Sequence, residues 1–353
     1  FVAGISACSL GHRHPEIIKA IKKQLNKFLH VMVYGEYVQE PTVKLCKKLA
    51  SLLPKNLEVT FLTNSGTEAI EGAMKLAKRY TKKSNFIAAK NSYHGSTQGA
   101  LSLLGVKNQK KGYGPLLPKV NFIDFNSNKD LTKIDNNTAA VILETVQGGA
   151  GFIIPKTGYL NNVKKRCREV GALLILDEIQ PGIGRTGNMF AFQKYGVEPD
   201  ILVIGKGLGG GLPIGAFCSS REMMKKFEYK PSLGHISTFG GNPVIASAGL
   251  SVLETLEHEK ILEKIKEKEK LIRSLLKHKK IKSINGTGLM LAIILERKSD
   301  AEKLVKESMG KGLILFYLLW NKLAVRITPP LNISDSDLIK GCKIILKILD
   351  EMV

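Results

Sequence analysis

Two short apolar runs constrain this chain more than any other feature. One is Leu173-Leu174-Ile175-Leu176, closed by Asp177. The other is Ile201-Leu202-Val203-Ile204-Gly205, followed by Lys206. Apolar runs of this length, without polar alternation, read as strands buried on both faces, the habit of parallel sheets covered by helices. Open sheets of that kind bind ligands at the carboxyl ends of their strands. An acid and an amine delivered to one crevice suit a charged heteroaromatic cofactor. The amine can hold it covalently, and the acid can pair with a ring nitrogen. A surface lysine after a core strand is the plainer alternative, and these two strands alone do not separate the readings.

The rest of the chain repeats the alternation. Strands are expected at 59–63, 86–89 and 139–144. Helices are expected from Pro15 to about Leu29, from Pro41 to about Leu53, after Glu68 to about Tyr80, and over 159–170. This β/α order predicts a mostly parallel, doubly wound sheet. Residues 41–255 are assigned to this larger domain. Two long helices (244–258 and 260–279) come next, then β (281–295), α (300–310), β (313–327) and α (335–350). Residues 1–40 and 256–353 are therefore expected to form a second, smaller α/β domain.

Local features add candidates, each with an ordinary alternative. Asn64-Ser65-Gly66-Thr67-Glu68 lies between a strand and a helix, where backbone N–H groups and the helix dipole can seat a phosphate. The same residues also spell a common helix start. Tyr93, beyond the strand at 86–89, can stack on a planar ring or simply rim the core. Glu144 ends another strand, ahead of Gln147-Gly148-Gly149-Ala150-Gly151. His12 and His14 lack a carboxylate or cysteine cluster, so they read as a turn and not a metal site.

Composition excludes several classes. The chain has 53 basic and 31 acidic residues, a formal charge of +22. A basic balance can signal nucleic-acid binding. Here only 9 of the basic residues are arginine, and the lysines crowd helix faces such as 259–282 without interleaved aromatics. A solvated lysine surface explains this better, and no nucleic-acid partner is expected. No apolar run approaches the roughly 20 residues that span a bilayer. Five scattered cysteines without CxxC spacing read as reduced thiols, so a cytoplasmic location and no metal are expected. The chain opens at Phe1 without a methionine, so its start is expected to be missing.

Taken in order, the motifs resemble one known family. They are Asn64-Ser65-Gly66-Thr67-Glu68-Ala69, Tyr93-His94-Gly95, Asp177-Glu178-Ile179-Gln180, Gly205-Lys206 with Gly209–Gly215, Ser237-Thr238-Phe239-Gly240-Gly241-Asn242-Pro243, and Arg326-Ile327-Thr328-Pro329-Pro330-Leu331. The chain resembles the class III (ω-amino acid) aminotransferases, fold type I enzymes dependent on pyridoxal 5'-phosphate, and within them the acetylornithine, ornithine and 4-aminobutyrate branch. The resemblance implies that Lys206 binds the cofactor aldehyde and later shuttles a proton, and that Asp177 pairs with the ring nitrogen. It further implies Gln180 near the ring hydroxyl, Tyr93 on a ring face with His94 beside it, and Ser65, Gly66 and Thr67 at the phosphate. Glu144 is implied near substrate and cofactor, and Arg326 at a substrate carboxylate. Thr238 is implied to reach the phosphate of a second subunit, so a homodimer with shared active sites is expected.

Two departures matter. The branch carries a glutamate, thought to neutralise the arginine while an ω-amino donor reacts, where this chain has Gly149. The resemblance also implies a segment before Phe1 that helps close the substrate pocket, and this segment is expected to be missing here. The expected reaction is ping-pong transfer from an ω-amino donor such as N-acetylornithine or ornithine to 2-oxoglutarate or pyruvate. The alternatives are a 4-aminobutyrate aminotransferase and an aminomutase or decarboxylating transaminase. The remote one is a basic nucleic-acid-binding protein on a vestigial cofactor fold.

Overall fold

The computed structural model describes residues 1–228, 231 and 233–352. A seven-stranded sheet carries the site. Its strands are β1 (Val59–Thr63), β2 (Asn85–Ala89), β3 (Val120–Ile123), β4 (Thr138–Glu144), β5 (Leu173–Asp177), β6 (Ile201–Gly205) and β7 (Gly215–Ser219), in the order β1-β7-β6-β5-β4-β2-β3. Neighbours from β6 to β3 pair parallel, and β7 runs antiparallel to both β6 and β1. This is the mostly parallel α/β sheet expected.

Every residue of β4, β5 and β6 is buried. The reason is two-sided cover. Leu174, Leu176, Leu202 and Ile204 enter one core, while Leu173, Ile175, Ile201 and Val203 enter the other. Strand periodicity of two sends alternate side chains to opposite faces, so no position on a central strand can be polar without cost. Helix α3 (Gly66–Thr81) covers the second face with Ala69, Ile70, Ala73, Met74, Leu76 and Ala77; its small residues let it lie close on the strands. On the first face lie α2 (Glu40–Leu52), α4 (Tyr159–Val170) and α5 (Pro243–His258), among others.

Strands β8 (Ile281–Thr287), β9 (Met290–Leu295), β10 (Phe316–Tyr317) and β11 (Ala324–Ile327) form a second sheet, in the order β10-β11-β9-β8. All its pairings are antiparallel. Helices α6 (Ile265–Leu275), α7 (Lys298–Gly310) and α8 (Asp335–Asp350) complete this part.

Some boundaries differ from the sequence expectations. The first long helix, α1 (Pro15–Leu25), stops short of Leu29; Phe28 and Leu29 continue its apolar spacing but lie exposed. The expected helix 260–279 begins only at Ile265, because Lys260 takes a left-handed backbone (φ +50°) and a 3-10 turn follows it. The expected strand 281–295 is a hairpin that turns at Gly288 (φ +60°). The expected strand 313–327 divides into β10 and β11 around Leu318–Leu323.

Candidate active site

The carboxyl ends of β4, β5 and β6 open on one cavity of about 530 Å³. Register brings the chemistry together. Glu144, the last residue of β4, pairs across the ladder with Asp177, the last of β5. Asp177 pairs in turn with Val203 of β6, and Lys206 follows that strand directly. The cavity is lined by Ser65, Gly66, Thr67, Tyr93, His94, Glu144, Asp177, Gln180 and Lys206, with Asn64 and Gly149 among its further residues.

Asp177 is buried and doubly held. His94 Nδ1–H donates to Oδ2 at 2.7 Å, and the Ile179 backbone N–H donates to Oδ1 at 2.9 Å. Burial disfavours the His94 cation, but the bond to Asp177 and its charge outweigh this and raise the His94 pKa. Lys206 sits on the cavity with a backbone φ of +39°, unusual for a residue with a side chain. Burial lowers its pKa, against the opposing charges of Asp177 and Glu144 and with a smaller push from Arg326. A lowered amine pKa makes a better nucleophile near neutrality. Glu144 is raised to about 7, chiefly by burial. It accepts from the Gly148 N–H at 2.9 Å and the Tyr93 N–H at 3.4 Å.

The start of α3 satisfies both sequence readings at once. Ser65 caps it, accepting from the Glu68 N–H at 3.3 Å, and Glu68 reaches back to the Asn64 N–H at 2.9 Å. Yet Ser65, Gly66 and Thr67 still face the cavity. Gly66 packs so tightly that a Cβ there would lie 2.7 Å from Ile179 Cδ1. Gly95 has φ +133°, and a Cβ on it would fall 2.2 Å from Thr67 Oγ1. Backbone amides at a helix start, free of side-chain bulk, make an anion cradle. The donor set therefore fits pyridoxal phosphate: a cradle for its phosphate, a held carboxylate for its ring nitrogen, a lysine for its aldehyde, and Tyr93 on the same wall.

A family model for class-III aminotransferases matches residues 1–349. The chain belongs to the class III aminotransferases. The acetylornithine aminotransferase of Caldanaerobacter subterraneus subsp. tengcongensis is 39% identical, covering 100% of this chain and 90% of that protein. The Methanocaldococcus jannaschii acetylornithine aminotransferase is 38% identical over 95% of this chain and 84% of its own length. Among solved structures, the ornithine aminotransferase of Toxoplasma gondii ME49 superposes with a TM-score of 0.93 at 30% identity, covering 100% of this chain and 87% of that one. A second structure of the T. gondii enzyme holds pyridoxal phosphate at partial occupancy in its active site. The cavity of this aminotransferase is lined by residues that suit the cofactor held by that neighbour.

Two expected site residues stand apart from the cavity wall. Arg326, on β11, is buried and donates through Nε and Nη2 to the Tyr317 carbonyl at 3.1 and 3.0 Å. Its Nη1 is buried without a partner among the described residues. Burial lowers its pKa to about 10, so it stays cationic at neutral pH. Thr238 is exposed outside the cavity, although its neighbour Ser237 accepts from Asn64 Nδ2 at 3.0 Å. Sequence reasoning missed that His94 fixes Asp177. It also gave Glu178 no part: Glu178 is buried, accepts from the Ala191 and Phe192 N–H groups at 2.6 Å each, and anchors the loop after β5. Phe190-Ala191-Phe192 carries no capping side chain, so nothing in the sequence marked this role. No group of three or more His, Cys, Asp or Glu among the described residues has the spacing of a metal site. No helix among them is long and apolar enough to cross a membrane.

Proposed function

We propose that this aminotransferase moves an amino group from an ω-amino donor, N-acetylornithine or ornithine, to a 2-oxo acid, with pyridoxal 5'-phosphate attached at Lys206. The observation that carries the reading is Lys206 sharing one cavity with the His94-held Asp177 and the cradle at Ser65–Thr67. The donor class rests on the acetylornithine aminotransferase relatives. When bound, pyridoxal phosphate supplies an electron sink for the carbanion formed beside the substrate nitrogen. Lys206 would anchor the group and, once freed by the substrate amine, would move the proton from the substrate carbon to the cofactor carbon that bore the aldehyde. Asp177 would hold a proton at the ring nitrogen, and His94 keeps Asp177 oriented. Ser65, Gly66 and Thr67 would hold the phosphate, Tyr93 would cover a ring face, and Gln180 would serve the ring hydroxyl. Arg326 binds a carboxylate with its unpartnered Nη1, and Glu144 lines the substrate side.

Gly149 offers no carboxylate to neutralise Arg326. The arginine then stays available in both half-reactions, so a donor that presents its own carboxylate there, or pyruvate as acceptor, is favoured. The active unit is a homodimer in which Thr238 serves the neighbouring site. Leu29, Tyr37, Val38 (85% exposed) and Phe239, next to Thr238, are apolar side chains left exposed, which a second copy would cover. His30 and Phe239 meet at 5.0 Å. The division into residues 41–255 and 1–40 with 256–353 is retained as part of this reading.

The test is a visible absorbance spectrum with pyridoxal phosphate, followed by single additions of donors. Bleaching of the Lys206-bound cofactor band by N-acetylornithine or ornithine, then recovery with a 2-oxo acid, is the expected result. Bleaching by 4-aminobutyrate alone would shift the donor, and evolution of carbon dioxide would shift the reaction. No band at all would sink the reading.

A further inference from the structure

Gly149, which lines the cavity, and Trp320, which packs against it, compete for one piece of space. A Cβ on Gly149 would lie 2.6 Å from Trp320 Nε1 and 2.8 Å from its Cδ1, so the indole fills the place of the side chain that the glycine lacks. The backbone pins it there: the Trp320 N–H donates to the Gly149 carbonyl at 3.0 Å. Asn285 Nδ2 ties the same loop through the Gly151 carbonyl at 3.1 Å. Leu319 and Gly149 both line the cavity. Trp320 Nε1 is buried and has no acceptor among the described residues. A buried N–H without an acceptor is costly, and an indole N–H normally finds one. The facing loop, Gly148-Gly149-Ala150-Gly151, has no side chain able to accept.

We propose that Trp320 determines substrate specificity, its Nε1–H donating across Gly149 to a carboxylate or acyl oxygen at the end of the substrate remote from the reacting centre. This deepens the aminotransferase reading above and rests on it. An indole is a neutral donor, so it selects for an acceptor oxygen without placing a second charge beside Arg326. It also backs Gly149, so it limits how far that stretch of the cavity wall can yield to a bulkier substrate. Phenylalanine removes the donor together with part of the ring, so the N–H contribution is read from the difference between two donor substrates, one with an acceptor oxygen and one without.

The experiment compares the holoenzyme with Trp320→Phe and Gly149→Ala in single turnovers. The donors are N-acetylornithine, whose oxygens can accept, and an unsubstituted diamine of equal chain length. Loss of one hydrogen bond to a charged or strongly polar acceptor should lower kcat/KM for the first about tenfold, through KM, and leave the diamine within about twofold. The Cβ of Gly149→Ala displaces the indole and should reproduce the selective loss. Equal losses on both donors, or none on either, would overturn the proposal. A second readout is independent of turnover. Trp320 is the only tryptophan in the chain, so its emission reports its own surroundings. Titrating the holoenzyme with glutarate, an unreactive dicarboxylate, should shift the emission saturably, and emission that stays unmoved would overturn the assignment. If the wild-type protein reacts with no donor, the aminotransferase reading fails on that result alone. The glutarate titration still decides the role of Trp320.

Discussion

His94 Nδ1 donates to Asp177 Oδ2 at 2.7 Å, and both side chains are sealed from solvent. The bond spans 83 residues of sequence. It joins the loop after β2 to the end of β5, so the loop that carries Tyr93 and Gly95 is fastened to the acid at the base of the cavity. His94→Asn is expected to slow the first half-reaction roughly 10- to 100-fold, the worth of one hydrogen bond to a charged group. Asp177→Asn should cost more, roughly 100- to 1000-fold, because it removes the charge itself. Single-turnover rates at saturating donor check both, and a His94→Asn rate equal to wild type would reduce the pair to packing.

The cradle makes a separate prediction. Gly95→Ala forces a side chain into a left-handed backbone and onto Thr67 Oγ1. The strain alone is expected to cost about 1–3 kcal/mol of stability. Thr67 must also shift, so affinity for pyridoxal phosphate should fall at least about tenfold. Thermal unfolding and a cofactor titration read the two effects separately.

Glu144 gives stability a pH dependence of known sign. Its pKa rises from 4.5 to about 7 on folding, mainly through burial. The folded state therefore holds the proton more tightly than the unfolded chain. The stability this contributes is complete below 4.5 and is lost as pH rises through about 7. Against wild type, Glu144→Gln should flatten the decline across that window, where one extra bound proton is worth about 1.4 kcal/mol per pH unit. Urea unfolding without added cofactor measures it. A Gln variant whose profile parallels wild type would show that Glu144 is ionised throughout.

Arg326→Lys keeps the charge and loses the planar fork that now grips the Tyr317 carbonyl. The expected result is a fall in kcat/KM for the 2-oxo acid of roughly 30-fold or more, the cost of disturbing a buried charged contact. A donor without a carboxylate should be nearly unaffected. Steady-state rates with 2-oxoglutarate and pyruvate, taken side by side, test this and show which acceptor the arginine serves.

Val38→Asp places a charge at the most exposed of the apolar side chains that a second copy would cover. Wild type is expected to sediment as a dimer, and the variant as a monomer with little activity. A wild-type monomer that turns over at full rate would end the shared-site reading.

Much of this was legible in the sequence because burial writes a plain signal. Leu173–Asp177 and Ile201–Gly205 are apolar without alternation, and they are the central strands. Ser65 and Glu68 announced a helix start that faces the cavity. What was not legible joins distant residues with no periodic mark. Nothing near His94 says that it reaches Asp177, and nothing near Gly149 says that Trp320 lies on it. The expectation of one strand over 281–295 passes over Gly288, whose φ of +60° makes the turn of the hairpin. Arg326 was singled out as a rare arginine beside prolines, but its hold on Tyr317 belongs to a two-residue strand too short to leave a pattern.

The ladder from Glu144 to Asp177 to Val203 carries a further consequence. Spacing between these strands is fixed by main-chain hydrogen bonds, in steps of about 4.8 Å. No side-chain exchange rewrites that ruler. The loop at 148–151 hangs from it directly, and the segment 318–321, between β10 and β11 of the second sheet, meets that loop where the Trp320 N–H donates to the Gly149 carbonyl. A lineage, or an engineer, seeking a different amine can redraw that loop and segment while the distance between acid and amine is inherited unchanged.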